Sequence, residues 1–145
     1  PYAEHPAEVA TVEGGIARTL DGLRPNRGVR FGASTRIARL LMAVREHDPD
    51  RRFALTCRLS QSVEAALADL DGAVEAYDPT ERPDTVSSDE TASWGVDSAL
   101  ADTDTSPVAV IDRGEVGVDA GVTVLADDPE ALLSRVETLR TAIDQ

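Results

Sequence analysis

Ten residues in the first third of the chain carry the groups best suited to hold an anion: Arg30-Phe31-Gly32-Ala33-Ser34-Thr35-Arg36-Ile37-Ala38-Arg39. Arginines and two hydroxyls surround a glycine-alanine pair whose small side chains leave backbone N–H groups open to a ligand. Apolar Ile37, Leu40, Leu41 and Val44 follow at i, i+3, i+4 and i+7, so the segment predicts an amphipathic helix beginning at Ser34, the residue placed to cap it. A helix N-terminus offers unpaired N–H groups and the positive end of the peptide dipole, which together favour phosphate or carboxylate. The charge pattern sharpens this reading. Between Arg18 and Arg39 stand six arginines against one acid, Asp21, whereas the remainder holds eight arginines against 26 acids. A basic island in a chain of net charge −13 points to something negative that binds there.

Two more polar loops follow expected strands. Asp78-Pro79 comes after Tyr77 and opens a polar segment running to Ser93, long enough to be functional. Asp112-Arg113-Gly114, with Gly117 beyond it, follows the apolar run Val108 to Ile111. Ligands of α/β sheets sit beyond the carboxyl ends of strands. Asp78, Asp112, Gly114 and Gly117 therefore join the candidate site, together with Trp94 of the Trp94-Gly95 pair. The two histidines lie in a polar lead-in (His5) and at a helix end (His47), so no nucleophile-histidine pair or metal-ligand set is assigned.

Positioning these groups requires strands and helices in alternation. A weak helical pattern covers Ala7 to Glu13. Ile16 to Leu20 reads as a strand turning at Asp21-Gly22 into a second short strand near Leu23, a hairpin. The helix from Ser34 ends at Asp48-Pro49. Strands are expected over Arg52–Leu59, Ala73–Tyr77, Val108–Ile111 and Val122–Leu125, with helices from Ser60 to Leu70, around Trp94 to Leu100, and after Asp128-Pro129-Glu130, where proline suits the first helical position. The sum is five or six strands and four helices, a layered α/β domain with helices on both faces of a mixed sheet. A length of 145 residues is one domain. The opening on Pro1 rather than Met leads us to expect a fragment of a longer chain, with a partner domain upstream.

All 14 basic residues are arginine and none is lysine, against 16 Asp and 11 Glu. That is the composition of a cytoplasmic protein from a cell that holds high internal salt. Such a surface repels nucleic acid, so direct DNA contact by this domain is not expected. One cysteine, Cys57, excludes an internal disulfide and alternates with core positions. No run of 18 apolar residues crosses a membrane.

In chain order, Phe31-Gly32-Ala33-Ser34, the Asp48-Pro49 helix end, Trp94-Gly95, Asp112-Arg113-Gly114 with Gly117, and Asp128-Pro129-Glu130 resemble the ThiN-type thiamine-phosphate synthase domain, from about Val9 to Leu139. The resemblance implies a three-layer α/β/α sandwich with a mixed β-sheet, similar to the class II aldolase type. Members join a pyrimidine diphosphate to a thiazole phosphate, often fused to a pyrimidine kinase; others sit behind a helix-turn-helix and sense thiamine compounds. In the catalytic branch the resemblance implies a histidine where this chain has Arg36, an arginine where it has Gly15, and a glycine-lysine-glutamate-proline segment where it reads Gly117-Val118-Asp119-Ala120. A site that keeps its anion cradle and loses these groups suits a sensor of thiamine phosphate or thiamine diphosphate. The runner-up is an active synthase, and a module for another phosphorylated metabolite comes third. Ligand contacts are assigned to Arg30, Phe31, Gly32, Ala33, Ser34, Thr35, Arg36, Asp78, Trp94, Asp112, Gly114 and Gly117, with no catalytic residue and no cofactor, save magnesium accompanying the diphosphate. Expected partners are the phosphorylated ligand, a second copy in a homodimer, and DNA through an upstream helix-turn-helix; no membrane is involved.

Removing salt should destabilise the domain, because its charge of −13 repels itself once screening goes. Circular dichroism should show a lower melting temperature in 0.1 M than in molar salt; equal values would contradict the high-salt reading.

Overall fold

The structure, a computed structural model, describes residues 3–145. The chain opens with four short strands, β1 (Ala10–Val12), β2 (Ile16–Thr19), β3 (Gly22–Pro25) and β4 (Val29–Phe31), before the first helix, α1 (Thr35–His47). Then follow β5 (Phe53–Arg58), α2 (Gln61–Ala66), β6 (Ala73–Tyr77), α3 (Thr91–Leu100), β7 (Pro107–Asp112), β8 (Gly121–Ala126) and α4 (Pro129–Ile143).

The centre is a four-stranded mixed sheet in the order β5-β8-β7-β6, with β6 and β7 parallel and the other pairs antiparallel. The parallel pair needs a crossover, which α3 supplies. Every residue of β7 is buried, as its unbroken Val108-Ala109-Val110-Ile111 run demands of a strand covered on both faces. On one face Leu40, Leu41 and Val44 of α1 and Val96 and Leu100 of α3 pack with Tyr77, Val110 and Leu125. On the other, Ala66 of α2, the adjoining Leu67 and Leu139 of α4 pack against Ala109, Ile111, Val122 and Val124. Each fully buried Val or Leu contributes roughly 1.5–3 kcal/mol relative to exposure. The result is the three-layer α/β/α arrangement that alternation predicted.

Local chemistry sets the element ends. Ser60 caps α2 by accepting from the Val63 N–H at 3.2 Å, and Asp128 caps α4 through the Ala131 N–H at 2.8 Å with Pro129 at the first helical position. Arg51 is a buried cation at the entry to β5; it donates to the Pro107 carbonyl at 3.0 Å and to Asp127 at 2.6 Å, which satisfies its charge. Cys57 packs against the α2/α4 side, and burial pushes its thiol pKa up, as suits an unreactive filler.

Residues 3–31 depart in part from the sequence reading. Ala7 to Glu13 does not form a helix. Pro6–Glu8 makes one 3₁₀ turn, held by the side chains of His5 and Glu8, and the chain then enters β1. So short a helix is marginal in water, while a ladder to β4, with Ala10 opposite Phe31 and Val12 opposite Val29, satisfies the same backbone groups. β2 and β3 form the expected hairpin, so among the described residues the strands number eight, four of them in two-stranded ribbons outside the main sheet. The helix expected from Ser60 to Leu70 ends at Ala66 and tightens into a 3₁₀ turn over Leu67–Asp69. Among the described residues, no helix is long and apolar enough to cross a membrane.

Candidate ligand site

Side chains alternate along β7, which puts Asp112 on the same face as Val110, beneath α1 and α3. Asp112 is only 6% exposed, and both of its oxygens are engaged. Oδ2 accepts from Arg36 Nη2 at 2.5 Å and from the Tyr77 hydroxyl at 2.9 Å, while Oδ1 accepts from the Gly114 N–H at 2.8 Å. Each donor is set by a different element. Tyr77 ends β6 directly beside Asp112 in the parallel register. Its ring lies against Gly95 of α3, where a Cβ would come within 2.3 Å of Tyr77 Cδ2, so no larger residue fits there without moving the ring. Gly114 turns the chain at φ +75°, and a Cβ there would sit 2.7 Å from both the Ala120 nitrogen and the Val118 oxygen. Arg36 comes from the first turn of α1.

Burial, and next the neighbouring Asp112 charge, push the Tyr77 pKa well above its ordinary value. The phenol therefore stays protonated and donates to the carboxylate throughout the physiological range.

The Arg36–Asp112 pair stands between two clefts and lines both. The smaller, about 390 Å³, lies beyond the carboxyl ends of β6 and β7 and is walled by Thr35, Arg39, Pro79, Asp89, Thr91 and Glu115. Its arginines are held: Arg39 donates to the Asp89 carbonyl at 2.6 Å, and nearby Arg82 donates to the Thr91 hydroxyl and lies 3.5 Å from Glu115. The larger, about 810 Å³, opens between the N-terminal ribbons and the α1 side of β5 and β8. Its walls include Gly15, Ile16, Val29, Ala33, Ser34 and Ile37, and Thr56 and Thr123, whose hydroxyls lie 2.8 Å apart, belong to it as well.

The anticipated site residues divide accordingly. Ala33 and Ser34 line the larger cleft, Thr35 the smaller, and Arg36 and Asp112 both. Ser34 occupies the N-cap position of α1, but its side chain makes no capping hydrogen bond, contrary to expectation. The Gly32 N–H, expected to be open to a ligand, already donates to the Val9 carbonyl at 3.1 Å. Arg30 pairs with Glu13 at 2.7 Å and Phe31 is largely exposed, and neither lines a cleft. Asp78 caps its own turn through the Thr80 N–H and hydroxyl, bonds that hold its carboxyl below the usual range; Pro79, not Asp78, reaches the smaller cleft. Trp94 packs against the α1/α3 core, so its partner Gly95 is the member of the pair that serves the site. Gly114 supports Asp112 from behind, and Gly117 sits at the tip of the Glu115–Val118 turn with open space around it. Sequence reasoning missed Tyr77 and Glu115, and it placed Arg39 in the basic segment without assigning it a ligand contact. Tyr77 had one usable signal, an aromatic ending a strand just before a candidate loop.

With the geometry in view, comparison with known proteins is decisive. The family model described as thiamine-phosphate synthase ThiN matches residues 1–138. The chain belongs to the ThiN family. It is 31% identical over 125 residues to the thiamine-phosphate synthase ThiN of Methanothermobacter thermautotrophicus, a match covering 85% of this chain and 66% of the relative. It is 27% identical over 141 residues to the bifunctional thiamine biosynthesis protein ThiDN of Methanocaldococcus jannaschii, covering 97% of this chain and 33% of that protein. The chain thus spans less than two thirds of the length of either relative. The crystal structure of the C-terminal domain of a phosphomethylpyrimidine kinase superposes with a TM-score of 0.89 at 26% identity, covering 96% of this chain and 79% of that one. A ThiN domain is linked to thiamine biosynthesis, and Gly15 and Arg36, the positions at which the catalytic branch is expected to carry arginine and histidine, line one and the same cleft here.

Tyr77→Phe should lower stability by about 1–3 kcal/mol, the cost of withdrawing a hydrogen bond from a buried charged group. Urea unfolding measures this; an unchanged midpoint would mean that the phenol does not support Asp112.

Proposed function

We propose that this ThiN domain is the ligand-sensing part of a regulator of thiamine biosynthesis, binding thiamine phosphate or thiamine diphosphate in the larger cleft without condensing their precursors. The observation that carries the reading is the wall formed by Arg36, tethered to Asp112 and 58% exposed. One arm of its guanidinium is fixed, and the remaining donors are available to a phosphate in the two-pronged geometry that suits arginine. Ala33 and Ser34, at the start of α1, add the positive end of the helix dipole and a hydroxyl not committed to capping.

Chemistry is disfavoured by what stands at the same wall. A guanidinium stays protonated at any working pH, so Arg36 cannot exchange a proton as a histidine would. Gly15 contributes no side chain, and its φ of +72° is one that an arginine would adopt only with strain. A departing pyrophosphate therefore lacks a cation at Gly15 to stabilise its charge, and no group in the place of Arg36 can move a proton.

Magnesium carried in with a diphosphate would depend on the ligand's own oxygens. Among the described residues, no three His, Cys, Asp or Glu side chains gather as a metal site, and both Asp112 oxygens already accept hydrogen bonds. On this reading the domain works in the cytoplasm and touches DNA only through an upstream helix-turn-helix.

Calorimetry in molar salt should detect binding of thiamine phosphate or its diphosphate, and Arg36→Ala should weaken it about tenfold to a hundredfold. Charge-assisted hydrogen bonds of roughly 1.5–3 kcal/mol set that range. Formation of thiamine phosphate from the pyrimidine diphosphate and thiazole phosphate by the unaltered domain would overturn the sensor reading in favour of a synthase.

A further inference from the structure

Hydroxyl groups interrupt the apolar lining of the larger cleft at three threonines. Thr56 of β5 lies directly opposite Thr123 of β8, and alternation puts both on the α1 side of the sheet, the side on which Ala54 and Leu125 pack. Thr123 is only 3% exposed, and the two hydroxyls are hydrogen-bonded to each other. Two hydroxyls carry two protons, and the bond between them uses one. Among the described residues no further hydrogen bond engages either side chain, so one proton and several lone pairs are left without a protein partner. Thr11, in the β1 wall of the same cleft, adds another. Its Oγ1 is the one buried side-chain polar atom without a hydrogen-bond partner among the described residues.

Buried hydroxyls left unmet are costly, and valine would fill each position with the same shape at no such cost. A cross-strand threonine pair can also serve the sheet alone, but that role explains neither the spare proton nor Thr11. The place of the pair is informative. Asp112 of β7 stands opposite Gly121 of β8, and Thr123, two residues on, stands opposite Val110. The hydroxyl pair therefore lies one two-residue step, roughly 7 Å, along the strands from the row that holds the Arg36 anchor.

We infer that Thr56, Thr123 and Thr11 recognise the aminopyrimidine ring of a ligand anchored by its phosphate on Arg36, an inference that rests on the sensor reading of the same cleft. Of the two rings of thiamine phosphate, the thiazolium has no N–H or O–H to donate, and its quaternary nitrogen has no lone pair. The aminopyrimidine has an amino donor and two ring-nitrogen acceptors, so it alone matches a group of hydroxyls that can both donate and accept. Ile37 and Leu40 of α1, which line the same cleft, are left for the apolar faces of the rings. The threonines thus make the cleft selective for the complete two-ring compound over a thiazole phosphate, which offers the phosphate without the aminopyrimidine.

Calorimetry in molar salt with thiamine phosphate and with thiazole phosphate tests this. Thr56→Val and Thr123→Val made together remove both partners of one bond and strand neither, so the fold is kept. This double variant should bind thiamine phosphate on the order of tenfold more weakly and thiazole phosphate as before. Thr11→Val, on a different element, should act in the same sense and serves as the independent variant should the double one lose structure. Arg36→Ala should weaken both ligands. Thiamine phosphate held as tightly by the valine variants as by the unaltered chain, with Arg36→Ala still weakening it, would overturn the inference and leave the sensor reading standing. Equal losses for the two ligands would also overturn it, since they mark a purely structural role for the threonines. Failure of the unaltered chain to bind thiamine phosphate would overturn the inference and the sensor reading together.

Discussion

A buried carboxylate governs this domain. Removing Asp112 from water would cost several kcal/mol if it were left bare, and the fold meets that cost with three donors from three separate places: the end of β6, the loop after β7 and the start of α1. The donors are unequal. Tyr77 is wedged over Gly95 and Gly114 is locked by its turn, so both are fixed by the fold. Arg36 alone is largely exposed. Its donors not committed to Asp112 can meet an incoming anion while the other two donors hold the carboxylate in place. Under the proposed function, that inequality makes the pair a responsive element rather than a static salt bridge.

The same constraint explains the small residues around the site. Gly95 is glycine because Tyr77 must lie flat on α3, and Gly114 is glycine because the loop folds back on Val118 and Ala120. Neither touches a cleft, yet both determine where the Asp112 oxygens point. The central sheet supplies the rigidity: β7 is buried throughout, so its terminal residue cannot drift. The N-terminal ribbons are the opposite case, thin and exposed, and they form the outer wall of the larger cleft.

Much of this could be read from the chain. The apolar run of β7, the 3.6-residue pattern of α1 and α4, and Pro129 after Asp128 fixed the core elements through local rules that tertiary packing reinforced. Arg36 and Asp112 were identifiable because each stands at the junction of an expected helix or strand with a polar loop. Their direct contact was not, since 76 positions separate them in sequence. Pairing of β1 with β4 was hidden for the same reason: three residues on each side carry too little periodicity to outweigh a helical pattern. Arg30, Phe31 and Gly32 were legible as a motif, but the motif shapes a ribbon end and a tight turn, and only its later part, Ala33 to Ile37 with Arg39, reaches the clefts.

The account turns on Arg36 holding a ligand phosphate with the donors that Asp112 leaves free, and a crystal structure with thiamine phosphate bound tests it most directly. The account predicts the phosphate in the larger cleft, within hydrogen-bond distance of the Arg36 guanidinium and the start of α1, with Tyr77 and Gly114 still on Asp112. A phosphate bound elsewhere, with Arg36 untouched by it, would contradict the account.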